Sequence, residues 1–172
     1  MPGAVIFKTL KNGFPGMYAE QGDHLVKTFP NTGDAEMDFG APVFRKGDGV
    51  AAVNSTGLTP SATNFVGVAE AHVQTANAYN PQSLGKYTAS QPVPVAERGG
   101  ISVYVGNAAV NAPTIDGTVY VRIAVGTSGL PVGEFEAAAD STNTIQITNA
   151  AWGSTADANG VALLILKSRN NS

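Results

Sequence analysis

Glu70, His72 and Gln74 are the residues with the most reactive pattern, since on an extended strand their two-residue spacing turns all three to one side. A carboxylate and an imidazole on one face are the beginning of a metal set. One of each is incomplete, and His24, the second of two histidines, falls on a different segment, so the ordinary reading is a surface histidine. Asp34, Glu36 and Asp38 match positions one, three and five of a calcium loop, but position six is Phe39 where glycine is needed and position twelve is Arg45 where glutamate is needed. What remains is an acidic face on extended chain, either a solvated strand edge or a contact for a basic partner. Glu134 and Glu136 share a side of a strand as a glycosidase pair would, with nothing nearby that implies a substrate cleft. Lys46-Gly47-Asp48-Gly49 resembles a phosphate loop only in its glycines, because no Gly-Lys-Ser/Thr and no helix pattern follow. No Gly-x-Ser-x-Gly elbow occurs, and a serine without a positioned base is only a hydroxyl. The chemistry therefore points away from an enzyme, and no cofactor or metal is expected.

The elements that would hold these residues are strands. In the central stretch, Ile101, Val103 and Val105 alternate with Ser102 and Tyr104; after a spacer, Val119, Val121, Ile123 and Val125 alternate with Thr118, Tyr120, Arg122 and Ala124. Gly99-Gly100 and Asp116-Gly117 bracket these two strands as turn signals. Further short strands are expected at 4–10, 24–29, 42–45, 49–53, 65–74, 85–97, 143–148 and 161–167. The last is apolar on both faces and hence central. Residues 133–138 are ambiguous between helix and strand. The 65–74 strand carries small residues, Gly67, Ala69 and Ala71, that let another backbone approach closely. Pro92 and Pro94 cannot donate to a ladder, so their strand must be an edge or leave the sheet there.

The spacing of these strands by Gly, Pro, Asn and Asp predicts an all-β protein, a single jelly-roll-like sandwich or barrel. The 172 residues suit one domain able to bury roughly 70% of its unfolded surface. Residues 1–33, dense in proline and glycine, are expected as a partly extended arm and 34–172 as the β core. Phe14, Pro15, Met17 and Tyr18 in that arm either pack on the parent domain or reach a partner. Ten basic residues, spread singly, form no patch for phosphates, so direct nucleic-acid binding is not expected. No apolar run is long enough to span a bilayer and no leader pattern opens the chain, which leads one to expect a soluble protein made in the cytoplasm. Cysteine is absent, and Asn54-Ser55-Thr56 and Asn170-Asn171-Ser172 match glycosylation acceptors only formally. With charged residues at only 13%, the chain suits a protein packed against neighbours.

Seven segments, in order, resemble the structural cement, or capsid decoration, proteins of tailed bacteriophages. They are Gly13-Phe14-Pro15-Gly16-Met17, Phe39-Gly40-Ala41-Pro42-Val43-Phe44-Arg45-Lys46-Gly47, Phe65-Val66-Gly67-Val68-Ala69, the run from Val93 to Val103 through Glu97-Arg98-Gly99-Gly100, Gly117-Thr118-Val119-Tyr120-Val121-Arg122, Gly133-Glu134-Phe135 and Gly160-Val161-Ala162-Leu163-Leu164-Ile165-Leu166. The likeness spans nearly the whole chain and departs mildly at Glu97-Arg98-Gly99-Gly100, which is more basic in that family. It implies a virion protein on the outer capsid surface that clamps major capsid protein subunits. Its partners would be that protein and copies of itself, as a dimer in preference to a trimer. The interface candidates are Phe14, Pro15, Met17, Tyr18, Asp34, Glu36, Asp38, Pro92 and Pro94. A different class, a receptor- or carbohydrate-binding head fibre, would rest on Trp152 and Tyr79 as loop aromatics. A small hydrolase would need a pocket that gathers Glu70, His72 or Asp140.

Overall fold

The computed structural model describes residues 11–19, 23–72, 85–126 and 129–169. The expected strand at 4–10, the 75–83 loop, Gln74 and Tyr79 lie outside these residues. In chain order the strands are β1 (Leu25–Pro30), β2 (Met37–Asp38), β3 (Pro42–Lys46), β4 (Gly49–Ala52), β5 (Phe65–Ala69), β6 (Lys86–Tyr87), β7 (Pro92–Tyr104), β8 (Val119–Arg122), β9 (Phe135–Glu136), β10 (Thr144–Ile147), β11 (Ala150–Trp152) and β12 (Val161–Leu166). One 3-10 turn, Ser141–Asn143, is the sole helical element among the described residues. The all-β, antiparallel character expected from the period-two patterning is what forms.

A seven-stranded sheet runs β11-β12-β7-β5-β3-β4, with β1 also pairing β7; a three-stranded sheet, β10-β8-β9, and a two-stranded ribbon, β2-β6, complete the fold. The main core includes Phe44, Phe65, Ile101, Val103, Leu164 and Trp152 from the large sheet and Val119, Val121, Phe135 and Ile147 from the three-stranded one. Val43, Val50, Val66, Val93 and Val95 instead join Met37 of β2 and Tyr87 of β6 in a second core. Strands β3 to β5 and the first half of β7 are thus apolar on both faces, which is why β5 is buried at every position. The 65–74 expectation is accordingly shortened: regular pairing stops at Ala69, and only Glu70 continues, donating its N–H to Pro94 O at 2.8 Å.

Strand β7 corrects a boundary. Gly99 and Gly100 do not start a new strand; they lie inside a strand of 13 residues. Gly99 has φ +106°, a conformation closed to most side chains, and a Cβ there would stand 2.6 Å from Asp23 O. The glycine bends β7 without ending it, so that Arg98 pairs with Leu25 of β1 while Gly99 to Tyr104 pair with Leu166 to Val161 of β12. Among the other expectations, the hairpin over Gly47 forms, β12 is central, and within residues 133–138 only Phe135–Glu136 pair as strand, with no helix. Burial of Phe135 and pairing of Glu136 opposite Tyr120 override the helical propensity of its alanines and glutamates. Trp152 was expected in a loop; it sits on β11, fully buried, with Nε1 donating to Thr118 O at 3.0 Å.

Close backbone approach occurs where small residues were placed. A Cβ on Gly67 would lie 2.0 Å from Ala96 O, so only glycine lets β5 and β7 pair at this level. Gly16 (φ +81°) and Gly40 (φ +78°) face each other: a Cβ on Gly40 would meet Gly16 N at 2.7 Å, and one on Gly16 would meet Gly40 N at 2.9 Å. The Gly13-to-Met17 turn is therefore clamped onto the Phe39-Gly40 turn by backbone contact. A direct check compares Gly40→Ala with Gly47→Ala, since Gly47 also has positive φ (+57°) but open space around it. Thermal melts should show about 1 kcal/mol lost for Gly47→Ala from backbone strain alone and about 3 kcal/mol for Gly40→Ala, where steric conflict is added.

Candidate functional site

Residues 11–19 of the arm lie against the domain. Gly16 N donates to Ser102 O at 2.7 Å, Ser102 N to Met17 O at 2.8 Å and Ala19 N to Gly100 O at 3.1 Å, which lays residues 16–19 along the second half of β7. Asn12 Nδ2 donates to Val161 O at 2.7 Å, and the Ser102 hydroxyl donates to Asn12 O. Tyr18 is half-buried and stacks on His24 at 4.0 Å, tying this segment to β1. Of the four leader candidates, Phe14 (54% exposed) and Met17 (43%) remain open to a partner, whereas Pro15 and Tyr18 are half-buried. Both expected roles are thus present in one turn, fixed by the glycine contact already described.

The three acids are exposed and alternate with Ala35, Met37 and Phe39 as expected, each in its own setting. Asp34 Oδ1 accepts Thr56 N–H at 2.9 Å, and its bonds to Thr56 hold its carboxyl below the usual carboxylate range. Glu36 pairs with Lys86 Nζ at 2.9 Å, and Asp38 sits opposite Lys86 in the β2-β6 ladder. Asp38 and Pro15 are brought together in one groove of about 310 Å³, with Phe39, Tyr104, Val132 and Glu134 among its walls.

Pro92 and Pro94 line a different groove, of about 440 Å³, with Val26, Thr28, Glu70 and His72. β1 covers one side of their strand, and among the described residues no strand pairs with the other side at Pro92 and Pro94. Because Pro94 O accepts from Glu70, and the polar groups of alternate residues face the same way, both prolines turn their missing N–H toward the flank past the end of β5. That flank cannot donate to an added strand at either proline, as suits residues that protect an edge. Tyr87, fully buried below, donates its hydroxyl to Glu70 O at 2.6 Å and accepts from His72 N at 3.2 Å. Burial pushes its phenol up to about 12. Glu70 and His72 do share this groove, but no three metal-ligating side chains gather among the described residues.

Glu134 and Glu136 part company. Glu136 is buried and meets the equally buried Arg122 in a two-point contact, Nε to Oε1 and Nη2 to Oε2 at 3.0 Å, while Asp140 takes Nη1 at 2.8 Å. This guanidinium is neutralised and bonded on both forks, a structural ion cluster in the three-stranded sheet. Asp140 is thereby committed and is remote from the Glu70–His72 groove. Glu134 is half-buried, and burial, with Glu136 adding to it, raises its carboxyl above the ordinary range. A further buried carboxylate, Glu97, lies 2.7 Å from Arg169 Nε and 3.9 Å from Lys27 Nζ. The stretch that departs from the cement-protein pattern therefore binds β1 and the chain's last described turn to β7.

The sequence reading passed over Tyr104, Val110 and Ile115, which stand 46%, 75% and 68% exposed at the end of β7 and in the following loop. The available signal was the run from Val105 to Ile115, eleven residues without a charge. Beside them, alanines 108, 109, 112, 156 and 158 line a groove of about 520 Å³.

The geometry is that of an antiparallel β protein with several exposed apolar side chains and, among the described residues, no gathered metal-ligating set. The family model described as "Structural cement protein (E217 gp24/Pam3 gp6)" matches residues 6–167, and the chain belongs to this structural cement protein family of phages. Its fold is similar to a chain in a solved structure titled "The capsid of Myoviridae Phage XM1", with a TM-score of 0.64, 17% identity and 89% of each chain covered. A chain of the "head fiber gp8.5 N base in bacteriophage phi29" aligns over 86% of this chain and 100% of its own, at 10% identity and a TM-score of 0.38, too low to argue from. No curated protein sequence matches the chain.

Two outcomes are expected from these charges. Glu136→Gln leaves the buried Arg122 without its main counter-charge and should cost about 3 kcal/mol in denaturant unfolding. Because the folded phenol of Tyr87 ionises above the unfolded one, the stability it contributes is whole below pH 10 and is lost as pH rises toward 12. Tyr87→Phe should therefore show a shallower stability loss than wild type in chemical denaturation between pH 10 and 12.

Proposed function

We propose that this protein is a non-enzymatic cement on the outer surface of the phage head, bound to the assembled major capsid protein lattice. The observation that carries this reading is the family match across residues 6–167, and the exposed apolar side chains on rigid turns supply its physical means. Phe14, Met17, Tyr104, Val110 and Ile115 are exposed apolar groups whose burial by a partner would be favourable. A ligand that binds the assembled shell and not its separated subunits adds its binding free energy to the stability of the assembly. Each contact needs only about 1,000 Å² for specificity, and repetition over a lattice multiplies it. In this reading the described part of the arm, residues 11–19, acts as one unit with the core it bonds to. Contacts between copies, as a dimer, would join neighbouring sites. The head-fibre alternative loses its main residue, because Trp152 is core.

The test uses heads assembled without this protein and then decorated with the purified full chain. Decoration should raise the temperature at which DNA-filled heads rupture and lower the salt needed to keep them intact. Equal rupture thresholds for bare and fully decorated heads would overturn the cement role.

A further inference from the structure

The groove between Pro15 and Glu134 combines two properties. Its walls are apolar, with Pro15, Phe39, Tyr104 and Val132. Its charges are Asp38 and Glu134, and among the described residues no cation lines it. Glu134 is positioned and unspent: its carboxylate rests over Gly106, where a Cβ would come within 2.4 Å of Oε2, and among the described residues it forms no ion pair. The nearest cations are committed elsewhere, Arg122 to Glu136 and Asp140, and Lys86, opposite Asp38, to Glu36. The geometry points to this groove as the seat for a lysine- or arginine-bearing segment of the shell protein, whose cation pairs with Glu134 while its apolar stem lies against Tyr104 and Val132. The inference rests on the cement reading and names the chemistry of its partner.

Charge complementarity decides the occupant. A second copy presenting the same face would bring Glu134 and Asp38 against their own equivalents, an arrangement that like-charge repulsion opposes. A basic segment relieves it, and the long stems of Lys and Arg cover apolar walls while their heads reach a carboxylate. The raised carboxyl of Glu134 agrees, since burial and the neighbouring Glu136 outweigh the attraction of Arg122, which is bonded to other acids. Phe14, exposed beside Pro15, extends the apolar wall toward the same partner.

The experiment titrates the full-length protein onto undecorated heads and, separately, melts it free in solution. Glu134→Gln should bind about tenfold more weakly and Glu134→Lys should bind weaker still, while the free Glu134→Gln protein melts at the wild-type temperature or above it. Added salt should narrow the gap between wild type and Glu134→Gln. Wild-type affinity for Glu134→Gln would overturn the inference and leave the cement role standing. A fall in the melting temperature of free Glu134→Gln that accounts for its weaker binding would also overturn it, by making the residue structural. Self-association of the free protein that strengthens in Glu134→Gln would assign the groove to a second copy. Heads that wild type does not decorate would remove the cement reading, and this inference with it.

Discussion

The continuity of β7 is the constraint on which the rest of the fold depends. Along 13 residues this strand pairs with β1 and β5 in its first half and with β12 and residues 16–19 in its second, so both cores and the leader are referenced to one backbone. Gly99 makes this possible. Its positive φ turns the strand from one set of partners to the next while the ladder continues, where a conventional residue would end the strand. Glu97 adds a tie at the same level, drawing Lys27 and Arg169 to the bend. Two-sided pairing of this kind leaves few backbone groups on β7 free to be pulled away, which suits a part that must transmit load between surfaces.

Much of the architecture was legible because period-two alternation is local. The strand beginning near His24, the hairpin over Gly47, the central placement of β12 and the close approach at Gly67 all follow from residue types within a few positions of one another. What escaped depended on distant partners. Gly99-Gly100 has the composition of a turn, and only the positions of β1 and β12 convert it to a bend. Residues 133–138 have helical propensity, and only the burial of Phe135 against the main core draws Phe135–Glu136 into a strand. Trp152 is followed by Gly153 and a run of small and polar residues, and looks like loop until β12 is laid beside it.

The candidate interface residues divide along the same line. The exposure of the three acids was readable from local alternation, whereas that of Phe14 and Met17 was open between packing and reaching a partner, and the grouping of Pro15 with Asp38 comes from the contact between Gly16 and Gly40, 24 positions apart. Pro92 and Pro94 were correctly seen as unable to donate, but β1, which covers the strand's other side, restricts what that edge can offer. The leader looked loose because its prolines and glycines prevent regular pairing. They do so and still permit docking, since isolated bonds to Gly100 and Ser102 need only single residues in register.

Glu134 and Glu136 show how the fold separates stability from recognition. Two residues apart on a regular strand they would share a face, as the glycosidase comparison assumed. Pairing opposite Tyr120 fixes Glu136, and Arg122 captures its carboxylate inside the sheet, where cation and acids satisfy one another. Glu134 precedes the regular part of β9, after Gly133 at φ +91°, and its carboxylate goes instead to the groove beside Tyr104. The internal pair needs no partner to be complete. The outer carboxylate gains most when a cation arrives with the surrounding water excluded, because its attraction rises as the local dielectric falls. A protein built this way keeps its fold independent of attachment and still holds charge in reserve for the lattice, where many modest contacts act together.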